Sequence, residues 1–131
     1  MAILSKDDIL KAEDLPRELV EVPEWSGSVW VRGLSASERD HFESSIVELR
    51  GKERKIHLED IRAKLASLTM IDEQGKRLFS DHEVAELGKK SAQAVQRVFD
   101  AAQRLSGISS QDVEEYTKNS GNGQPGDSLS A

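Results

Sequence analysis

Three Gly-Lys pairs are the first residues in this sequence whose types suggest chemistry. A phosphate-binding loop needs a glycine five positions before such a pair and a Ser or Thr directly after it, because backbone amides hold the phosphate and the hydroxyl binds magnesium. None of the pairs has either neighbour, and the sequence has no G-x-G-x-x-G motif. We therefore predict no phosphate-binding or dinucleotide-binding loop. The pairs are Gly51-Lys52, Gly75-Lys76 and Gly88-Lys89.

Metal binding and acid–base catalysis are disfavoured by spacing. No two of His41, His57 and His82 lie three or four residues apart, so no helical turn presents two imidazoles to a metal. Acidic pairs such as Glu59-Asp60 are adjacent, which directs the two carboxylates to different faces of a helix. The chain contains 0 cysteines, which excludes disulfides, thiolate zinc sites and cysteine nucleophiles. We predict no catalytic residue, no cofactor, no metal ligand and no enzymatic activity.

Length and charge limit the remaining classes of function. The 131 residues suit one domain, and the net charge of -6 disfavours a general nucleic-acid binder, since phosphate affinity needs clustered Lys and Arg. The sequence has no apolar run of the length that spans a membrane and no signal peptide. We expect neither nucleic acid nor membrane as a partner. One short basic run, Arg50 to Lys55, leaves open a small regulatory or DNA-associated protein as a further hypothesis.

Secondary structure in the N-terminal part follows from capping and alternation. Residues 1–16 form an acidic leader, in which Ser5-x-x-Asp8 is typical of the start of a short helix. Apolar and polar residues alternate over 19–22 and again over 28–34, which predicts a β-hairpin. Pro23 lacks an amide donor, so its strand is expected at an edge of the sheet.

The remaining chain is predominantly helical by pattern. Capping boxes begin helices at Ser35 and Ser80, and apolar residues at helical spacing predict helices over 57–71 and 89–105. Residues 69–71 offer the alternative of a small hairpin with 76–79. We expect an α+β, mostly helical fold, with an N-terminal β-hairpin packed on a bundle of about four helices. The expected divisions are a leader at 1–16, one α+β domain at 17–116 and a disordered Gly/Ser-rich tail at 117–131.

Three hairpin residues are candidates for partner binding: Trp25, Trp30 and Arg32. Tryptophan is enriched at binding hot spots, although covering a sheet face within the fold is its commoner use. Trp30 and Arg32 alternate with the valines and so lie on the opposite face of the hairpin. Both interpretations stay open for the two tryptophans.

Four segments together resemble the tail assembly chaperones of long-tailed bacteriophages, particularly those of actinobacterial phages and prophages. The resemblance extends from the leader to about Tyr116. It lies in the order of the segments and their residue patterns, with no catalytic signature. The segments are Val20 to Trp25, Val29 to Asp40, Asp72 to Ser80 and Val98 to Gly107.

The resemblance implies a function in virion assembly. A member of this kind would bind the tape measure protein in the host cytoplasm, keep it soluble and help tail tube protein assemble around it, without remaining in the mature virion. Such proteins are often made in two lengths by a ribosomal frameshift. Self-association is left open. The alternative is a structural virion protein such as a head-tail connector or a tail terminator.

Overall fold

A three-stranded antiparallel sheet, in the order β1-β2-β3, forms one layer of the protein. The computed structural model describes residues 2–52 and 58–117, without the side chains of 47–52 and 58–59. Strand β1 spans Arg17–Val22 and β2 spans Gly27–Arg32, so the predicted hairpin is confirmed. A single 3-10 turn, Pro23–Trp25, connects the strands, and β1 is an edge strand as Pro23 indicated.

The third strand was not predicted as such. The helix expected to reach Ile71 ends at Thr69, and β3, Met70–Ile71, pairs with β2. The alternative hairpin with 76–79 is confirmed only as one bridge between Ile71 and Arg77. Pairing with β2 gives the backbone of 70–71 hydrogen-bond partners outside the helix, which offsets the loss of a last helical turn.

Serine caps set the beginnings of most helices. Ser5 Oγ accepts from the Asp8 amide at the start of helix α1, Lys6–Lys11. The Ser35 hydroxyl accepts from the Glu38 amide at the start of α2, Ala36–Lys52, and the Ser109 hydroxyl accepts from the Asp112 amide at the start of α6, Ser110–Thr117. Ser91 caps α5, Ala92–Leu105, which therefore begins three residues later than predicted, and α2 continues past Gly51, where we expected its end. The bounds are α1 Lys6–Lys11, α2 Ala36–Lys52, α3 Leu58–Thr69, α4 Val84–Leu87, α5 Ala92–Leu105 and α6 Ser110–Thr117.

The core lies between one face of the sheet and the helices. Helix α5 packs across β1 and β2 and against α3, burying Val98 and Phe99 beneath the sheet valines. Phe42 and Ile46 of α2 lie four residues apart, on one side of the helix, and are also buried. The resulting fold is α+β and mostly helical, as predicted, with a third strand added to the hairpin.

Several sequence-based expectations lie outside the described residues. The basic run ending at Lys55 and the Gly/Ser-rich tail beyond residue 117 are among them. The expected divisions of the chain stay predictions. Within 2–52 and 58–117, no helix is long and apolar enough to cross a bilayer.

Candidate partner-binding face

The two faces of the sheet differ because directly paired residues of antiparallel strands project to the same side. Val31 pairs with Glu18 and Met70, and Val20 pairs with Val29, so these residues form the inner face over the core. The opposite side, which we call the outer face, carries seven residues. They are Arg17, Leu19, Glu21, Ser28, Trp30, Arg32 and Ile71.

Trp30 lies at the centre of the outer face. It is half-buried, and it pairs with Leu19 on one side and with Ile71 on the other. Leu19 is 54% exposed, whereas Ile71 is buried. The Arg17 guanidinium carbon lies 5.8 Å from the centroid of the Trp30 ring, within the range of a cation–π contact. The outer face thus presents a supported aromatic ring and a leucine to solvent.

Trp25 has a different environment. It lies in the 3-10 turn and is half-buried against the hydrophobic core, which includes Val22 and Val98. Trp30 is not among the residues packed against that core. The positions of the two tryptophans therefore favour a packing role for Trp25 and leave Trp30 as the candidate for partner contact.

Arg32 is engaged within the fold. Its Nη1 and Nη2 donate to the two carboxylate oxygens of Glu38 at 2.7 and 2.6 Å, and only 13% of its side chain is exposed. The Arg32 hydrogen bond, opposed by partial burial and aided by the Ser35 amide, lowers the pKa of Glu38 to about 2. This bidentate pair holds the start of α2 against the end of β2. Arg32 therefore has a clear positioning role for α2.

Arg17 was missed as a candidate from the sequence. Within the described residues it has no carboxylate partner, unlike Arg32, Arg97 and Arg104. A groove of about 550 Å³ beside it is lined by Arg32, Gly75 and the end of the leader, 12–15. The alternation along the hairpin could have identified Arg17, since it lies two residues before Leu19 on β1 and so projects to the same side of the sheet.

The described residues contain no group of three or more His, Asp or Glu side chains arranged to hold a metal ion. His82 lies in the turn before α4, and His41 of α2 contacts that turn. The His41 Nε2 atom is 3.3 Å from a carboxylate oxygen of Asp81. That contact is exposed and joins α2 to the turn. Its geometry is that of a surface contact between two elements.

Comparison with known proteins identifies the family. The model of the phage tail assembly chaperone family matches residues 8–119, which is most of the chain. This chain belongs to the phage tail assembly chaperone family. The resemblance found in the sequence is confirmed at this level, whereas the actinobacterial origin stays a prediction.

A solved structure supports the fold of this tail assembly chaperone. The bacteriophage HK97 tail assembly chaperone superposes with a TM-score of 0.53 at 20% identity, over 76% of this chain and 90% of the HK97 chain. The comparison with curated protein sequences found no match. Membership of the family indicates that the protein acts as a chaperone in phage tail assembly, with phage tail proteins as its partners.

Proposed function

We propose that this tail assembly chaperone binds the tape measure protein, keeps it soluble and promotes assembly of tail tube protein around it. The observation that carries the proposal is the outer face, where Trp30 and Leu19 remain accessible on a sheet whose other side buries Val22, Val31 and Met70. A tape measure protein is long and helical in the family that this chain resembles. An apolar stripe of such a helix fits an accessible aromatic and leucine surface.

The outer face suits reversible binding. It offers only part of an aromatic ring and one exposed leucine, and apolar burial contributes about 25 cal/mol per Å². Contact with one helical turn of a client therefore gives low affinity, and repeated turns of a long client increase it by multivalency. Arg17 adds a preference for an acidic residue beside the apolar stripe.

The proposal also includes where the protein acts. It would act in the host cytoplasm, make or break no covalent bond, contact neither nucleic acid nor membrane, and be absent from the finished virion. Trp30 is the proposed contact residue, and Trp25 and Arg32 support the face by packing and by the ion pair with Glu38.

Co-expression with the tape measure protein of the same phage tests the proposal. We expect most of the tape measure protein in the soluble fraction with the wild-type chaperone, and a several-fold smaller soluble fraction with Trp30→Ala. Trp25→Ala is the matched control, because it removes an equal ring from the core side. It should lower the thermal unfolding temperature, whereas Trp30→Ala should leave that temperature nearly unchanged. Equal solubility with and without the chaperone would refute client binding.

Mass spectrometry of purified virions tests the second part of the proposal. A chaperone should be absent from finished particles, because tail tube protein takes its place on the tape measure protein during assembly. Stoichiometric recovery of this chain with the virion would instead establish the structural alternative, a head-tail connector or a tail terminator.

A further inference from the structure

A groove in the helical layer lies beside Arg62 of α3 and the first part of α5. Its volume is about 450 Å³, and a smaller cavity of about 100 Å³ shares Arg62 and Ala92 with it. None of the residues that line the groove belongs to the outer face of the sheet. The groove is therefore a separate surface, lined by Arg62, Ala92, Gln93, Gln96, Arg97 and Asp100.

Arg62 brings an unsatisfied donor to this groove. Its side chain is half-buried, and its Nε atom is fully buried without a hydrogen-bond acceptor anywhere in the described part of the chain. The Arg62 guanidinium also forms no ion pair within residues 2–52 and 58–117. Because folded proteins pair nearly all their buried donors, an unpaired one beside a groove indicates a ligand that supplies the acceptor.

The neighbours of Arg62 add donors and positive charge. Lys90, which lines the smaller cavity, has no ion pair among the described residues either. The backbone amides of Ala92 and Gln93 open α5 and have no acceptor in the described structure, as is usual for the first turn of a helix. The groove thus concentrates unpaired positive charge on a protein whose net charge is -6.

The opposite wall of the groove distinguishes between anionic ligands. Asp100 adds a negative charge there, which opposes a phosphate dianion more strongly than a single carboxylate. Gln96 Nε2 donates to Asp100 at 2.6 Å, which leaves the Gln96 carbonyl oxygen to accept, and Gln93 offers a second side-chain amide. A peptide supplies both a carboxylate for Arg62 and backbone N–H donors for these amide oxygens. The lining therefore favours an acidic peptide over free phosphate.

We propose that the groove between α3 and the start of α5 binds an acidic segment of a partner protein, with one Asp or Glu side chain of that segment on Arg62. The carboxylate supplies the acceptor that Arg62 Nε lacks, and the pair forms a charge-assisted hydrogen bond. The inference goes beyond the proposed function, because the groove shares no residue with the outer face and does not depend on the identity of the client.

NMR titration of the ¹⁵N-labelled full chain tests the proposal. The probe is a short peptide of alternating Glu and Ala, acetylated and amidated at its ends. We expect it to shift the amide resonances of Ala92 and Gln93 saturably. The same peptide with Gln in place of Glu should bind about tenfold more weakly, because it lacks the charge that strengthens the hydrogen bond to Arg62. Equal binding of the two peptides would overturn the proposal.

Two methionine substitutions on α3 provide the matched comparison. Arg62→Met removes the guanidinium and keeps an unbranched apolar stem, so it should weaken binding of the Glu peptide by about tenfold. Lys64→Met removes the same charge from the same helix at a residue that does not line the groove, and it should bind like the wild type. Wild-type affinity in Arg62→Met would overturn the proposal. So would an equal loss in both variants, since net charge alone would then explain binding.

Stability and ligand controls complete the test. Arg62→Met should unfold near the wild-type temperature, because its Nε atom has no partner to lose in the described fold. If that variant disturbs the fold, Arg62→Lys repeats the arm. It keeps the charge but lacks the planar guanidinium, and it should bind several-fold more weakly; wild-type affinity would overturn the role of the Arg62 guanidinium.

Inorganic phosphate is the competing ligand. Phosphate that shifts Ala92 and Gln93 at concentrations as low as the Glu peptide would overturn the assignment to a peptide. The absence of any saturable shift up to about 10 mM Glu peptide would overturn the proposal outright. The titration uses the chaperone alone, so its failure is distinguishable from a failure of client binding at the outer face.

Discussion

The inner and outer faces of the sheet differ in how far their side chains are buried. On the inner face, Val22, Val31 and Met70 are fully covered by the helices. On the outer face, Leu19 remains exposed beside Trp30, and Arg17 remains without a carboxylate partner among the described residues. Stability is thus concentrated on one side of each strand, which leaves the alternate residues available for contact with other proteins.

The clearest instance of this division is the pair of tryptophans. Trp25 and Trp30 are only five positions apart, yet one packs against the core and the other does not. Their separation follows from local structure, since Trp25 lies in the 3-10 turn Pro23–Trp25 whereas Trp30 lies on β2 among the residues that project to the outer face. The type of a residue therefore predicts less here than the element that holds it.

The largest effect should come from the inner face. Met70→Ala removes a fully buried side chain that pairs with Val31, and such a truncation leaves a cavity as well as losing apolar burial. We expect the free energy of unfolding to fall by about 3 kcal/mol in urea denaturation. Leu19→Ala on the outer face should cost about 0.5 kcal/mol. Equal losses at both positions would show that the two faces do not differ in stability.

The two glycines near the ends of β2 offer a second comparison. A Cβ at Gly33 would lie 2.5 Å from the Leu105 carbonyl oxygen, a backbone atom of α5 that cannot move away easily. Gly33→Ala should therefore destabilise the fold by about 2 kcal/mol. At Gly27 the nearest atom to such a Cβ is 4.0 Å away, so Gly27→Ala is the matched control and should unfold near the wild-type temperature.

Glu38 tests whether Arg32, a residue of the outer face, stabilises the fold. Glu38→Gln weakens the bidentate pair that holds Arg32, so we expect a loss of about 1.5 kcal/mol at pH 7, allowing for partial exposure of the pair. The pKa of Glu38 is lowered from 4.5 to about 2 in the folded protein. Its contribution is therefore complete above pH 4.5 and disappears as the pH falls towards 2.

The pH dependence provides the matching measurement. Between pH 4.5 and 2 the wild type should lose more stability than Glu38→Gln, because only the wild type has this carboxylate to protonate. Parallel curves for the two proteins in thermal unfolding would contradict the role assigned to the ion pair.

The smallest effect should come from Arg17. Arg17→Gln removes the guanidinium that lies over Trp30, and an exposed cation–π contact contributes about 0.5 kcal/mol. Chemical denaturation should detect little change, while the fluorescence of Trp30 should shift as its ring loses a charged neighbour. A loss of stability as large as that of Met70→Ala would show instead that Arg17 is needed to stabilise the fold.

Local patterns in the sequence predicted most of the elements, and non-local pairing explains what was missed. The Ser5, Ser35 and Ser80 capping boxes form as predicted because a cap involves residues three apart. Strand β3 has only two residues, and its partner β2 is distant in the chain, so no periodicity indicates it. Helix periodicity also does not show where a strand begins, which explains the excess length predicted for α3.

The candidate site was predicted in part for the same reason. Alternation placed Trp30 opposite the valines and left Trp25 undecided, because the turn that positions Trp25 is not periodic. The capping box at Ser35 accounts for the hydrogen bond that Glu38 accepts from the Ser35 amide, but it does not indicate that Glu38 also accepts from Arg32. A sequence pattern assigns each acid one local role, whereas a partly buried carboxylate can accept several hydrogen bonds at once.

The packing of α5 against β1 and β2 determines when the core can form during translation, and an exposed ion pair joins the same elements at the surface. Arg104 donates to Glu18 at 2.8 Å across 86 positions of sequence. The hairpin leaves the ribosome early, but its valines stay hydrated until α5 has also emerged. The nascent chain therefore exposes an apolar hairpin face through much of its own synthesis, so this assembly chaperone is itself open to aggregation until α5 is complete.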